Sequence, residues 1–106
     1  MKKIYKYELP PFPGVVITIK EKIIKPLKVQ KQYGKPTLWA IVDVDDLDNP
    51  VDIVAFGTGW ELPEDMVDNY LGSIQDTEGY VWHYFAVSHY MDGKASITAN
   101  NMEGLI

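Results

Sequence analysis

The stretch TLWAIVDVD, residues 37–45, is the most regularly patterned part of this chain of 106 residues. Its apolar residues recur at every second position, which predicts one shared face of a β-strand, formed by Leu38, Ala40, Val42 and Val44. Trp39 and Ile41 are apolar as well, so we expect both faces of the strand to be covered at its start. The stretch predicts the central strand of a β-rich domain.

Weaker alternation on either side predicts further short strands. They span residues 4–9, 15–20, 27–32, 51–56, 80–90 (the longest) and 95–99. In the third strand we expect Leu27 and Val29 to point inward. Asp46–Pro50 is rich in turn-forming residues and predicts a hairpin between the central strand and residues 51–56. Asp92-Gly93 predicts a second hairpin, leading into residues 95–99.

One segment predicts a helix, Pro63 to Leu71. Proline and acidic residues suit its first turn and Gly72 its exit, and its apolar stripe would comprise Met66, Val67, Tyr70 and Leu71. The fold class is therefore mainly β: an antiparallel sandwich or partly open barrel of six to seven strands with one short helix. The alternative is an α+β fold with that helix packed on one sheet. No linker divides the chain, so residues 1–106 form a single domain.

Composition favours a soluble, cytoplasmic protein. Hydrophobic residues make up 46% of the chain, there is no cysteine, and no apolar run is long enough for a membrane span. Arginine is absent, which disfavours sequence-specific nucleic-acid recognition. Residues 1–35 hold nine lysines and two acidic residues, whereas residues 36–106 hold one lysine and thirteen acidic residues. This segregation predicts a positive stripe and a negative face.

The positions of the residues in the sequence disfavour several possible catalytic or metal sites. His83 and His89 would stand about 20 Å apart on a regular strand and cannot share a metal ion. Ser88 and His89 are neighbours on a strand and point to opposite faces. The acidic run 43–52 lacks the glycine and glutamate of a calcium loop, so a solvated turn is favoured. We therefore expect no metal, no cofactor and no catalytic set, and interpret His83 as a half-buried, hydrogen-bonded side chain.

Two features suit ligand binding instead. Gly57-Thr58-Gly59 precedes Trp60, and its backbone N–H groups and hydroxyl could converge on an anion; the simpler interpretation is a chain turn. Tyr80, Trp82 and Tyr84 would form a same-face aromatic stripe, with Tyr90 beyond them. An open stripe would stack bases or contact a partner protein, whereas a covered one would be core or an interface between subunits.

Five pieces of sequence together resemble an uncharacterised family of short bacteriophage and prophage proteins. They are Lys3–Tyr7 (KIYKY), Leu38–Asp43 (LWAIVD), Phe56–Gly59 (FGTG), Pro63–Asp65 (PED) and Val81–Phe85 (VWHYF). The resemblance covers about residues 3–87 and implies a phage origin, a small β-rich fold and, for a phage protein, the host cytoplasm. It brings no established activity.

By analogy with small phage proteins that sequester nucleotide signals of host defence, our first hypothesis is non-enzymatic capture of a nucleotide-like small molecule by a homo-oligomer. The proposed ligand-binding residues are Lys6, Gly57, Thr58, Gly59, Trp60, Trp82, His83 and Tyr84. The second hypothesis is an inhibitor that lays its acidic half on a basic host protein. The third is a small nucleotide-cleaving enzyme.

Overall fold

The computed structural model describes residues 1–88 and 97–98. Two β-sheets face each other, and the described residues contain eight strands. In chain order they are β1 Lys2–Glu8, β2 Ile17–Ile19, β3 Lys22–Gln32, β4 Lys35–Asp43, β5 Val51–Gly57, β6 Tyr70–Gln75, β7 Val81–Ser88 and β8 Ile97–Thr98. Sheet A has the order β1-β4-β3 and sheet B the order β6-β7-β5-β2-β8. The sandwich-like, mainly β prediction is confirmed.

Strands β1 to β7 pair antiparallel throughout, and the two-residue β8 runs parallel to β2. The predicted central strand is confirmed as β4, the middle strand of sheet A. The predicted hairpin between this strand and residues 51–56 is wrong, because β5 pairs with β2 and β7 in sheet B. A turn signal marks where the chain reverses, but it does not specify which sheet the next strand joins.

The predicted helix over residues 63–71 is also wrong. Only Glu64–Met66 form a short 3₁₀ helix, and the chain is extended again from Tyr70. Met66 is buried, but Val67 and Tyr70 of the expected stripe are more than half exposed. Within residues 1–88 and 97–98, the structure contains no candidate membrane-spanning helix.

Two smaller expectations change as well. β3, with 11 residues, is longer than β7. Leu27 is 45% exposed instead of inward, because it is the extra residue at the register shift between Pro26 and Lys28. The Asp92-Gly93 turn lies outside the described residues. Ile97–Thr98 pair with β2, so this strand does not continue a hairpin on β7.

The main core lies between the sheets. Its fully buried members from sheet A are Tyr7, Leu38, Ala40 and Val42, and those from sheet B are Ile19, Ile53 and Tyr84. A second apolar cluster lies on the outer side of sheet B, formed by Val54, Phe85 and Val87 under Met66. Sheet B is therefore covered on both faces.

Candidate functional site

Three aromatic rings meet at one end of sheet B, and we call Trp60, Tyr80 and Trp82 the aromatic patch. Trp82 stacks on Tyr80 with ring centroids 5.7 Å apart and an interplanar angle of 17°. Trp60 meets Trp82 edge-on, at 5.9 Å and 67°. Trp60 is 54% and Tyr80 59% exposed, whereas Trp82 is half-buried and also packs against the main core. The patch thus presents two accessible rings on a fixed indole.

The carboxylate of Asp76 holds one side of the patch in place. It accepts hydrogen bonds from the Trp82 indole Nε1 at 3.1 Å and from the backbone N–H of Tyr80 at 3.0 Å. It also caps the turn between β6 and β7 through the backbone N–H of Glu78 at 2.9 Å. One side chain therefore fixes both the turn and the orientation of the indole.

The Gly57–Trp60 turn holds the other side. The Trp60 N–H donates to the Gly57 carbonyl at 3.2 Å, and Gly59 has φ 86°, the positive third-position angle of a type II turn. A Cβ atom at position 57 would lie 2.7 Å from Cε2 of Trp60 and 3.1 Å from Cζ3 of Trp82. Gly59 turns the chain and Gly57 leaves room for two indoles, which favours the simpler interpretation over an anion nest.

His83 lies on the opposite face of sheet B, because Trp82 and His83 alternate along β7. Its Nε2 is 2.7 Å from the Thr58 hydroxyl, and its Nδ1 is 2.7 Å from the Ser73 hydroxyl. The Tyr70 hydroxyl lies 2.6 Å beyond, on Ser73. We call these four residues the hydroxyl–histidine chain. The expected half-buried, hydrogen-bonded His83 is confirmed.

Chemically, the hydroxyl–histidine chain has the hydrogen-bond distances that pair a nucleophile with a base. The group behind the imidazole is the Ser73 hydroxyl, however, and within residues 1–88 and 97–98 no carboxylate bonds the ring to stabilise a developing positive charge. Either tautomer of His83 fits, since a hydroxyl both donates and accepts. The arrangement orients the ring and offers polar atoms to a ligand.

Two predicted site residues lie elsewhere. Tyr84 is fully buried in the main core, and its hydroxyl donates to the Pro10 carbonyl at 2.7 Å. Burial raises the pKa of Tyr84 to about 12, because the phenolate would be desolvated. Lys6 is 5% exposed on the outer side of sheet A, where it donates to Gln32 Oε1 at 2.5 Å. We therefore leave both residues out of the candidate site.

The surroundings of the aromatic patch are acidic. Asp76 lies within it, and Glu61 and Glu78 neighbour its rings in sequence. No lysine occurs between residues 36 and 93. Among the described residues, no three His, Asp or Glu side chains are grouped so as to hold a metal ion. The electrostatics thus favour a ligand group of low negative charge on the rings.

A cavity of about 400 Å³ opens at the other end of sheet B, beside the edge strands β3 and β6. It is lined by Lys22, Ile23, Val51, Tyr70, Leu71 and Ser88, among others. In the β5–β7 register, Val51 pairs with Ser88 whereas Gly57 pairs with Trp82. The cavity and the aromatic patch are therefore six residues apart along β7, about 20 Å.

Sequence reasoning missed Asp76, Ser73 and Tyr70. The Asp76 signal was present, since an aspartate that opens a turn commonly bonds the following backbone N–H groups. Ser73 and Tyr70 were hidden because residues 63–71 were interpreted as a helix. In the strand β6 that replaces it, Ser73 lies directly beside His83.

The chain belongs to the family described as "Domain of unknown function (DUF7352)", which it matches over residues 1–92. The expected membership in an uncharacterised family is thus confirmed, while the phage origin stays a prediction. No curated protein and no solved structure matches the chain.

Proposed function

We propose that this member of the DUF7352 family is a non-enzymatic binding protein that captures a nucleotide-derived small molecule, with its base on the aromatic patch. The observation that carries the proposal is the meeting of Trp60 and Tyr80, both more than half exposed, on the stacked indole of Trp82. Aromatic faces of this kind stack planar bases without needing a particular base edge.

The acidic surroundings shape the proposal. Phosphates would be repelled by Asp76 and by the neighbouring Glu61 and Glu78, so the base and not the phosphate supplies the binding energy. Thr58 and His83 lie across the sheet and serve ligand groups that reach around its end. The ligand class proposed by analogy is a signal of host antiviral defence, captured in the host cytoplasm.

A homo-oligomer is part of this proposal. Small-molecule sites commonly bury most of the ligand surface, and the aromatic patch is an open surface, not a cavity. A second copy that covers the ligand would complete the enclosure. Light scattering with and without ligand measures the oligomeric state. In the bound state we expect a protein mass of at least twice the 12.1 kDa of one chain.

Calorimetric titration tests the binding itself, with cyclic mononucleotides, cyclic dinucleotides and NAD-derived nucleotides as probes. We expect Trp60→Leu to weaken binding about tenfold, because stacking contributes about 1–3 kcal/mol per base. Leu47→Ala is the control, since Leu47 is an exposed apolar side chain in the loop between β4 and β5, and it should leave affinity unchanged. Added salt should not weaken binding, because it screens repulsion at an acidic site. Absence of heat with every probe contradicts the proposal.

A second candidate function rests on the separation of charge. The strands of sheet B contain Asp52 as their one charged residue, and the loops around them are acidic. Such a surface suits an inhibitor that docks on a basic host protein. A stoichiometric partner recovered from host lysate and released by salt favours this function.

Hydrolysis of a probe that stops in His83→Ala would favour the third hypothesis, a nucleotide-cleaving enzyme.

A further inference from the structure

The strands of sheet A carry most of the positive charge of the molecule. Strands β1, β3 and β4 contain eight of the ten lysines, against Glu8 and Asp43, a formal charge of +6. We call the outward residues Lys22, Lys25 and Lys28 of β3, with Trp39 and Ile41 of β4 and Ile4 of β1, the basic face.

Two irregularities in β3 align the three lysines. On a regular strand, residues three apart point to opposite sides. The register shifts between Ile23 and Lys25 and between Pro26 and Lys28 each insert one residue, so that all three lysines fall on one side. They lie opposite Asp43, Ile41 and Trp39, and all three lysines are exposed. Successive lysines are thus two β4 residues apart, about 7 Å.

The carboxylates on this side of the sheet already have partners. Glu8 lies 3.3 Å from Lys35, and Asp43 lies 3.2 Å from the N-terminal ammonium. Within residues 1–88 and 97–98, none of Lys22, Lys25 and Lys28 forms an ion pair. Their charge is therefore available to an external anion.

An apolar strip runs beside the lysine row. Trp39 is half-buried next to Lys28, and Ile4, on the far side of Ile41, is 62% exposed. Lys6 also lies beside Trp39, but its ammonium is buried on Gln32. Lys6 thus adds to the positive potential of the face without being placed to touch a ligand.

We propose that the basic face binds single-stranded nucleic acid without sequence preference, with phosphates along the lysine row and a base against Trp39. A row of point charges beside an indole matches a polyanion that carries planar rings. The absence of arginine removes the usual means of reading base edges. A three-stranded sheet face is wider than the helix or two-stranded ribbon that a duplex groove admits, so a single strand fits better than a duplex.

The test is fluorescence anisotropy with a labelled oligothymidylate of about 20 nucleotides. Three phosphate contacts predict a slope of about −2 for the logarithm of affinity against that of salt concentration. Lys25→Gln with Lys28→Gln should reduce the slope to about −0.7 and weaken binding about tenfold at low salt. Lys20→Gln with Lys31→Gln, an equal loss of charge away from the row that keeps the Glu8–Lys35 ion pair, should change affinity less than about twofold.

Trp39→Leu should weaken binding about fivefold or more and leave the salt slope unchanged, since stacking is not electrostatic. Trp60→Leu should have no effect here, so this proposal and the proposed function fail independently. Lack of binding at about 20 mM salt, or equal losses in the two lysine pairs, would overturn the proposal. Equal affinity for a duplex of the same length, or binding only to anionic phosphatidylserine vesicles, would also overturn it.

Discussion

The two sheets share the main core but differ in how many of their faces are covered. Sheet A buries one face and keeps a lysine-rich outer face, whereas sheet B is covered on both sides by the main core and by the cluster under Met66. The strands of sheet B contain no lysine. In a small sandwich, one sheet can thus keep a charged outer face exposed to solvent while a chain segment, here the one around Met66, covers the outer face of the other sheet.

The largest expected effect concerns that cover. Met66 is 1% exposed and fills the outer cluster with Val54 and Phe85. Met66→Ala should lower the free energy of unfolding by about 2–5 kcal/mol, because it leaves a cavity. Ile4→Ala, on the outer side of sheet A and 62% exposed, should change it by less than about 0.5 kcal/mol. Urea unfolding measures both, and equal values would remove the difference between the sheets.

The next effect concerns the contact between the sheets. A Cβ atom at Gly72 of β6 would lie 2.6 Å from Cγ2 of Val29 in β3. Gly72→Ala should therefore cost at least about 1–3 kcal/mol of unfolding free energy, through overpacking and through backbone strain at φ 157°. Combined with Val29→Gly, which removes both the obstructing methyl groups and the Cβ atom 2.7 Å away, the substitution should cost less than in the wild-type background. Strictly additive losses in this double-mutant cycle would contradict the inferred contact.

The smallest effect concerns the hydroxyl of Tyr84. Tyr84→Phe should cost about 0.5–1.5 kcal/mol below pH 10, because it removes the hydrogen bond to Pro10. Burial raises the pKa of Tyr84 to about 12, above the value near 10 of an unfolded chain. As pH rises from 10 to 12, Tyr84 ionises in the unfolded chain before it ionises in the folded one, so the unfolding free energy of the wild type falls. Phenylalanine cannot ionise, so the difference between the two proteins should shrink in this window.

Tyr7, in sheet A, also contributes to the loss of stability at alkaline pH. Its hydroxyl donates to Glu21 at 2.6 Å, and burial together with that carboxylate raises its pKa. Both proteins keep Tyr7, so both should still lose stability at alkaline pH. A constant difference between wild type and Tyr84→Phe from pH 8 to 12 would mean that the Tyr84 phenol ionises normally.

Local pattern predicted the strands whose alternation is unbroken. β4 and β7 were found because one face of each is apolar at every second residue, and β1 because Tyr5 and Tyr7 face the core. β6 was missed because Gly72 interrupts its pattern and because Met66, Val67, Tyr70 and Leu71 also satisfy a helical period. Packing over sheet B, and not local propensity, decided the outcome there.

The candidate site was predicted in part. Alternation in the sequence predicted that Tyr80 and Trp82 share one face of β7. The structure shows that side-chain exposure decreases along this face, from Tyr80 to the buried Tyr84. Alternation predicts which side a residue takes but not how far the covering sheet extends. The lysine row was beyond prediction for a related reason, since it depends on two inserted residues that no period-two pattern anticipates.

The order of the strands also has a consequence for biosynthesis. Sheet A is complete once residue 43 has emerged, but Ile17 of β2 pairs with Ile53, 36 positions later. During translation, the apolar strand around Ile17 and Ile19 therefore lacks its partner strand β5 at the stage when sheet A can already form. An unpaired edge of this kind invites association between nascent chains, so expression at low temperature or with chaperones should raise the soluble yield.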